Sequence, residues 1–138
     1  MNSFQWPIRV YYEDTDSGGV VYYANYLKFF ERARTELLRS KGMEQDSLRD
    51  EFGIIFVVSE AHLKYLSPAR FNDALVVTTS MSQLKKVGLT FEQVISLADS
   101  ADKALCTVTV RIACIDAKTF RPARIPKHMH QMFQEFSE

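Results

Sequence analysis

The sequence predicts an α+β domain in which one long helix packs against an antiparallel sheet. A helical pattern of apolar residues, from Asn25 to Lys41, follows a short alternating segment. Four further alternating segments come after the helix and are joined by short connections. Short connections favour antiparallel neighbours, because parallel strands need a crossover of a dozen or more residues. A length of 138 residues suits a single domain, residues 1–138, with its own hydrophobic core.

The first predicted element is a strand with one buried face. It is marked by apolar side chains at every second position, namely Phe4, Trp6, Ile8, Val10 and Tyr12. A period of two is that of a strand whose side chains alternate between two faces. Residues 14–19 interrupt the pattern with aspartate, serine and glycine, which favour turns.

The second element is the long helix. Its apolar stripe comprises Tyr26, Phe30, Ala33 and Leu37, widened by Leu27, Phe29 and Leu38. Arg32 and Glu36 lie on the opposite face at the i,i+4 spacing of an ion pair. We expect Asn25 to cap the helix at its start and Gly42 to end it.

The remainder of the chain predicts mainly strands. Residues 43–51 form a polar link that allows one more helical turn. Alternating apolar positions predict strands at residues 54–58 with 63–65, 75–81, 89–97 and 106–114, with turns at residues 67–73 and 98–103. Pro126 suits the first turn of a short C-terminal helix that would bury Met129, Phe133 and Phe136.

Charge and cysteine content narrow the classes of function. Lys plus Arg and Asp plus Glu each total 17, whereas a dedicated nucleic-acid binder normally carries a basic excess. The chain contains neither the ~18–20-residue apolar run of a membrane span nor the N-terminal pattern of a secretory signal. Cys106 and Cys114 would lie roughly 26 Å apart on one strand, too far for a disulfide. We therefore expect reduced cysteines and a cytoplasmic protein.

The segment YYEDTDSGGVVYYANY, Tyr11–Tyr26, carries the strongest chemical signal. Two acids, Asp14 and Asp16, precede a glycine pair, and an aromatic run then leads into the predicted helix. An ordinary turn explains this composition, because Asp, Ser and Gly tolerate turn geometry. A calcium loop does not fit, because Gly18 occupies a ligand position. An aspartyl-nucleophile phosphatase would require a parallel, doubly wound sheet, which the short connections oppose.

A hydrolytic site with one catalytic carboxylate is the fourth interpretation. The predicted helix points unpaired N–H groups toward the turn, where they would stabilise an oxyanion, and its dipole favours an ionised acid. The pattern does not choose between Asp14 and Asp16. His62, His128 and His130 are too scattered to predict a metal site, and we expect no metal or other cofactor.

The sequence RVYYEDTDSGGVVYYANYLKFFERARTELLRSKG, residues 9–42, closely resembles the opening of hotdog-fold acyl-CoA thioesterases. It is most similar to the type associated with the Tol–Pal envelope system, which is related to 4-hydroxybenzoyl-CoA thioesterases. YLSPARFNDALVV and residues 122–126 also resemble that group. The resemblance implies a five-stranded curved sheet wrapped around one long helix. It also implies hydrolysis of acyl-CoA, with acyl carrier protein as an alternative donor, by a homodimer or homotetramer.

The resemblance also implies roles for individual residues. Asp16 matches the family's catalytic carboxylate, which attacks the thioester carbonyl or activates a water. Tyr23 matches a position whose backbone N–H polarises that carbonyl, and Tyr12 is a further catalytic candidate in the same motif. Many relatives of the Tol–Pal-associated type carry His at the position of Tyr23, whereas this chain resembles the 4-hydroxybenzoyl-CoA type there.

The anionic tail of coenzyme A requires cations. Lys85 and Lys86 occupy a region where related thioesterases place basic residues for the nucleotide, and Arg70 is a further candidate. A non-catalytic hotdog protein that binds envelope or lipid-synthesis machinery is the alternative function. A hotdog dehydratase is disfavoured, because it needs a His that the predicted helix lacks.

Overall fold

The computed structural model describes residues 2–138 and contains one five-stranded antiparallel sheet with three α-helices. The strands are β1 (Phe4–Arg9), β2 (Ile54–Tyr65), β3 (Ala74–Leu84), β4 (Gly88–Leu97) and β5 (Ser100–Asp116). The helices are α1 (Asn25–Ser40), α2 (Gln45–Phe52) and α3 (Lys127–Ser137). The predicted α+β class and order of elements are confirmed. No helix within residues 2–138 is long and apolar enough to span a membrane.

The order of the strands explains the position of α1. The sheet runs β1-β3-β4-β5-β2, and every neighbouring pair is antiparallel. β1 and β2 therefore form the two opposite edges, although only α1 and α2 separate them along the chain. The chain crosses one face of the sheet between these edges, and α1 packs there against β1 and β3.

A buried stripe attaches α1 to the sheet. Its buried residues are Tyr26, Phe29, Phe30, Ala33, Leu37 and Leu38. Leu27, which the sequence predicts in this stripe, is 44% exposed. Leu38 lies further along the helix, where it shares a cavity wall with Phe56 and Phe133. The prediction for Leu27 is wrong: in the same turn of α1, Tyr26 is buried and packs 5.6 Å from Tyr65 of β2, between ring centroids, whereas Leu27 lies outside this contact.

A buried polar side chain connects the sheet to the middle of α1. The Gln93 side-chain amide donates to the Phe30 carbonyl at 3.0 Å and to Thr79 Oγ1 at 2.9 Å. Its oxygen accepts from Arg34 at 2.9 Å. Gln93 is thus buried with donors and acceptor satisfied, as a polar group inside a core requires.

The predicted C-terminal end of α1 is confirmed, whereas the predicted N-cap is wrong. Gly42 ends the helix as expected, with φ +79° and hydrogen bonds from Gly42 N to Arg39 O and from Met43 N to Leu38 O, each 3.0 Å. Asn25 is not the N-cap. Ala24 holds that position, because the Asn25 side chain is bonded to the acidic segment instead.

The predicted Arg32–Glu36 ion pair is replaced by another. Glu36 pairs with Arg39 at 2.9 Å, and Arg39 also reaches Glu44 at 3.1 Å. Arg39 lies between the carboxylates of Glu36 on α1 and Glu44 before α2. The only carboxylate at helical spacing from Arg32 is that of Glu36. Such exposed pairs contribute little to stability.

The first strand is shorter than predicted. β1 ends at Arg9, and Tyr12 lies in a 3₁₀ turn, Tyr12–Asp14, with its side chain 80% exposed. The Asp14 carboxylate accepts from the Tyr11 backbone N–H at 2.8 Å and thereby closes this turn. A side chain that bonds nearby backbone competes with strand pairing, which explains the early end of the strand.

Three other features differ from the predictions: one strand, one turn and the polar link. The segments predicted at residues 54–58 and 63–65 form one strand, β2, which is irregular between Val58 and Glu60. The β4–β5 turn comprises only residues 98–99, and the polar link contains an eight-residue helix, α2. A single inserted residue in a strand shifts the alternation, which divides its pattern in the sequence.

The predicted C-terminal helix and the two cysteines are confirmed in their structural roles. Met129, Phe133 and Phe136 are buried, as predicted for the helix, and the Phe133 ring packs edge-on against Phe56. Cys106 and Cys114 are free and buried. Burial raises the pKa of the Cys106 thiol to about 12 and that of Cys114 to about 11.

Candidate active site

The acidic segment folds into a small hairpin at the end of β1. Asp16 N donates to Val20 O at 3.0 Å, and Tyr22 N donates to Asp14 O at 2.9 Å. Gly19, with φ +79°, donates to Asp16 O at 3.1 Å and turns the chain. Glycine suits this position because a Cβ is strained at positive φ. Asp16 therefore lies at the hairpin tip, and Asp14 lies in its arm.

The two acids have different surroundings. Asp14 is buried, and one of its carboxylate oxygens accepts from Tyr11 N at 2.8 Å. Asp16 is exposed, and its Oδ1 accepts from Gly18 N at 2.8 Å. No other hydrogen bond to the Asp16 carboxylate is present in the described part of the chain. Both carboxylates thus bond the local backbone, but only that of Asp16 is exposed and accessible to a ligand beside the hairpin.

The entry to α1 supplies backbone donors next to this hairpin. Asn25 N donates to Tyr22 O at 2.8 Å. The N–H groups of Tyr23 and Ala24 have no acceptor among residues 2–138. The Tyr65 hydroxyl donates to Tyr23 O at 3.2 Å and so attaches this turn to the end of β2. Two adjacent unpaired amides in a fixed turn are suited to an anionic oxygen.

Exposed aromatic rings surround the hairpin and the helix entry. The Tyr23 ring lies 4.8 Å from Tyr22 and 6.2 Å from Tyr65, between ring centroids. Tyr23 is 61% exposed and Tyr65 is 49% exposed. The pKa of the Tyr22 hydroxyl is raised, first by the hydrogen bond and charge of Tyr23, then by desolvation and by the Asp16 carboxylate. Among these causes the Asp16 charge is the smallest, and the contact with Tyr23 dominates.

Arg70 and Tyr12 lie at the same end of the molecule as Asp16. Arg70 forms an isolated antiparallel β-bridge with Val20 in the hairpin. The Arg70 backbone N–H donates to the Asp73 carboxylate at 2.9 Å. The Tyr12 ring packs 5.8 Å from Phe71, between ring centroids. Both side chains are exposed, so the structure brings these two predicted residues to the rim of the hairpin.

The structure does not bring Lys85 and Lys86 to Asp16 within one chain. Both lysines precede β4, next to Val87, whose carbonyl accepts a hydrogen bond from Cys114 N at 2.8 Å. Cys114 lies opposite Phe56 near the start of β2. The Asp16 hairpin lies at the other end of β2, beside Tyr65. Phe56 and Tyr65 are nine positions apart along β2, which corresponds to about 30 Å of strand.

Lys86 belongs instead to a basic cleft at the opposite end of the sheet. The cleft has a volume of about 760 Å³, and its cations are Lys86, Arg124 and Lys127, with His130 beside them. Its lining includes no Asp or Glu. The sequence did not predict this group, because only the fold brings the segment before α3 against the β3–β4 turn.

Sequence reasoning missed two contacts at the site. Tyr65, whose hydroxyl holds the Tyr23 carbonyl, lies 42 residues away in the chain, and no local pattern indicates the contact. The Asn25 side chain donates to Asp14 O at 2.9 Å, across 11 residues. The available signal is asparagine at a helix start, which predicts a cap and not this contact.

Comparison with known proteins identifies the family of this chain. The model of the family described as "Thioesterase-like superfamily" matches residues 10–133. The acyl-CoA thioesterase YbgC of Haemophilus influenzae is 42% identical over 132 residues, 96% of this chain and 95% of that protein. The acyl-CoA thioester hydrolase YbgC of Escherichia coli O157:H7 is 40% identical, covering 96% of each chain.

Solved structures give the same result. A probable thioesterase from Bartonella henselae has a TM-score of 0.83 and 35% identity, covering 90% of this chain and 99% of that chain. A 1,4-dihydroxy-2-naphthoyl-CoA thioesterase from Synechocystis has a TM-score of 0.90 at 23% identity, covering 99% of each chain, and so supports the fold alone. The chain has the predicted hotdog fold and belongs to the thioesterase-like superfamily, as an enzyme related to the YbgC thioester hydrolases.

Proposed function

We propose that the protein hydrolyses an acyl-CoA to a free carboxylic acid and coenzyme A, with Asp16 as the catalytic carboxylate. The observation that carries the proposal is the difference between the two acids. Each carboxylate accepts one backbone N–H, but that of Asp14 is buried inside the turn, whereas that of Asp16 is exposed at the hairpin tip. The unpaired Tyr23 and Ala24 amides lie close by in the chain, where the carbonyl oxygen of a substrate requires them.

The chemistry requires little more than these groups. A thiolate leaving group has a conjugate acid of pKa about 8.5, judged from cysteine, so its departure needs no strong acid. Asp16 either attacks the carbonyl carbon, giving an anhydride that water then cleaves, or takes a proton from an attacking water. The Tyr23 N–H stabilises the oxyanion in both cases, and one such donor is worth about 3 kcal/mol. Tyr12 remains a catalytic candidate through its hydroxyl at the rim.

A second copy of the chain would complete the site. β2 is an open edge of 12 residues, and such edges are stabilised by pairing. Antiparallel pairing of two β2 strands about a two-fold axis near their centre would place the start of one strand beside the end of the other. The partner subunit's Lys86 would then lie at the same end of the assembly as Asp16. The exposed Leu27, Tyr23 and Tyr65 would be covered in this dimer or in a tetramer built from it.

The same dimer gives the predicted cations a role. Arg70 of one subunit and Lys85 and Lys86 of the other would bind the phosphates of coenzyme A. The basic cleft around Lys86 supports this assignment, because its lining contains cations and no carboxylate. Acyl carrier protein, which is also anionic, is the alternative donor. Action in the cytoplasm fits the two free thiols, and association with the Tol–Pal system remains a prediction.

The decisive experiment measures release of free thiol from a panel of acyl-CoAs, from short and long aliphatic to aromatic acyl groups. We expect Asp16→Asn to reduce kcat by at least about 100-fold with the fold unchanged, because the variant keeps the size of the side chain but neither attacks nor accepts a proton. Normal turnover by this variant would refute the role of Asp16. Asp14→Asn is the matched control and should lower stability more than kcat.

The alternative function is a non-catalytic binding protein of the same fold, associated with envelope or lipid-synthesis machinery. It predicts no thiol release from any acyl-CoA or acyl carrier protein in the panel. Specific capture of a carrier protein without turnover would favour it. Comparing acyl-CoA with the same acyl group on the carrier protein also identifies the preferred donor.

A further inference from the structure

Asn25 connects the two halves of the proposed site. Its side-chain amide donates to the Asp14 carbonyl at 2.9 Å. Its backbone N–H donates to the Tyr22 carbonyl at 2.8 Å. The Asp14 carbonyl also accepts from Tyr22 N at 2.9 Å, so one oxygen receives both donors. One residue therefore holds the arm of the hairpin and the peptide at the helix entry together.

These contacts define the positions of both proposed catalytic groups. The Tyr22 carbonyl and the Tyr23 N–H belong to one planar peptide and point in opposite directions. Holding this carbonyl against Asn25 N consequently sets the direction of the Tyr23 N–H. Asp14 lies two residues before Asp16 in the same hairpin arm, so the side-chain bond of Asn25 fixes the base of the hairpin that carries the carboxylate.

Helix formation does not explain the presence of asparagine here. Asn25 is the first residue of α1 and follows the N-cap, Ala24, and its side chain makes no capping hydrogen bond. Asparagine is among the poorer helix formers once it lies inside a helix. The contact that does use its side chain is the one to the acidic hairpin.

We propose that Asn25 is a positioning residue for thioester hydrolysis, which holds the Asp16 hairpin in a fixed relation to the Tyr23 N–H. The proposal rests on the proposed roles of Asp16 and Tyr23. Asn25 touches neither the substrate nor the reacting atoms. It acts by preventing the carboxylate and the oxyanion donor from moving apart during the reaction.

Asn25→Asp is the sharpest test. The two side chains have the same shape, but a carboxylate has no N–H to donate and faces the Asp14 carbonyl unfavourably. An acid in the first turn of a helix is favoured by the helix dipole, so α1 itself should lose nothing. We expect kcat to fall about 10- to 100-fold with KM nearly unchanged, because small displacements of catalytic groups reduce turnover. The thermal midpoint should remain close to that of the wild type.

Asn25→Gln and Gln93→Met complete the design. Asn25→Gln retains the donor on a longer side chain and should recover part of the kcat lost in Asn25→Asp. Gln93→Met removes another amide that holds an α1 carbonyl, that of Phe30, five residues further along the helix than Asn25. It should lower the thermal midpoint while kcat per folded molecule is retained. A kcat in Asn25→Asp equal to that of the wild type would overturn the proposal.

The outcomes separate this inference from the function on which it rests. If Asp16→Asn abolishes turnover and Asn25→Asp does not reduce it, only the role of Asn25 is refuted. If Asp16→Asn retains turnover, the catalytic assignment itself fails. A loss in Asn25→Asp that scales with a lower thermal midpoint, as in Gln93→Met, would show a merely structural role and would also overturn the proposal.

Discussion

The two ends of the sheet have opposite character. The end that carries Asp16 has an exposed carboxylate, unpaired amides and exposed aromatic rings. The end that carries Lys86 has a basic cleft of about 760 Å³ and no acid in its lining. About 30 Å of β2 separates them within one chain. The groups proposed for the chemistry and those proposed for anion binding therefore lie at different ends of the chain.

In the proposed dimer, this separation would make one chain half of a working unit. A two-fold axis near the centre of β2 exchanges the ends, so each Asp16 would meet the basic end of the partner. The exposed aromatic rings at the Asp16 end and the open edge of β2 are both explained by such a partner. The opposite edge, β1, carries no comparable group of site residues.

The largest effect should come from preventing this pairing. Ala61→Glu adds a second acid beside Glu60 near the middle of the exposed edge, and like charges directly opposite each other destabilise paired strands. We expect a folded monomer in analytical ultracentrifugation and a loss of about 100-fold in kcat/KM.

Gln5→Glu on the exposed part of β1 is the matched control for the opposite edge and should change neither mass nor rate. A fully active monomer of Ala61→Glu would contradict the division of the site between two subunits.

The next largest effect should come from Lys85→Ala combined with Lys86→Ala. Removing two phosphate contacts should raise KM for acyl-CoA about 10-fold, equivalent to about 1.4 kcal/mol, with kcat nearly unchanged. The same acyl group on N-acetylcysteamine, which lacks the nucleotide, should be hydrolysed at the wild-type rate. Steady-state kinetics with the two substrates measures the difference, and exposed Lys103→Ala in β5 is the control.

Mixed dimers sharpen this prediction. Combining Asp16→Asn subunits with the double lysine variant places both lesions in one site and leaves the other site intact if the lysines come from the partner. Mixed dimers should therefore bind acyl-CoA with wild-type KM at about half the wild-type kcat per mixed dimer. If the lysines served the Asp16 of their own chain, no site would be intact and the recovery would not occur.

Arg70→Ala should have a smaller effect. Arg70 lies beside the hairpin of its own chain and is exposed, so one solvent-screened contact is lost. We expect KM for acyl-CoA to rise about 3-fold, which is less than half of the change in binding free energy expected for the two lysines. In mixed dimers with Asp16→Asn, this defect should stay with the active subunit, which distinguishes it from the lysines. An effect on kcat without one on KM would contradict a role in binding.

Tyr12→Phe should have the smallest effect. The ring contact with Phe71 remains, and only the hydroxyl of an exposed side chain is lost. We expect kcat to change by less than about 2-fold, since a water-exposed hydroxyl at the rim has little leverage on the reaction. A loss near that of Asp16→Asn would instead give Tyr12 the catalytic role that its position in the motif suggested.

The elements of the fold were predictable because their signals are local. The stripe of α1 and the alternation in β3, β4 and β5 each arise from residues that contact the same core. The early end of β1 was not predictable from alternation, because the carboxylate of Asp14 bonds the backbone and converts the next residues into a turn. Leu27 was misplaced because only tertiary packing decides how wide the buried face of a helix is: its neighbour Tyr26 is buried, whereas Leu27 is not.

The motif that contains the candidate site was predictable, whereas its connections were not. Asp16 and the helix entry are close in the chain, so the sequence already places them together. The choice between Asp14 and Asp16 required their burial, which only the fold determines. Tyr65 contacts Tyr23 from 42 residues away, and the position of Lys86 depends on the order in which strands pair. These relations arise from tertiary structure and leave no local pattern.

The burial of the two cysteines has a consequence for an enzyme whose product is a thiol. Mixed disulfides form when a thiolate attacks a disulfide sulfur, so an accessible protein thiolate would be modified by the disulfide that released coenzyme A forms on oxidation. Cys106 and Cys114 are buried, and their thiols remain protonated with pKa values of about 12 and 11. Repeated turnover, even in the presence of coenzyme A disulfide, should therefore leave the folded protein without adducts.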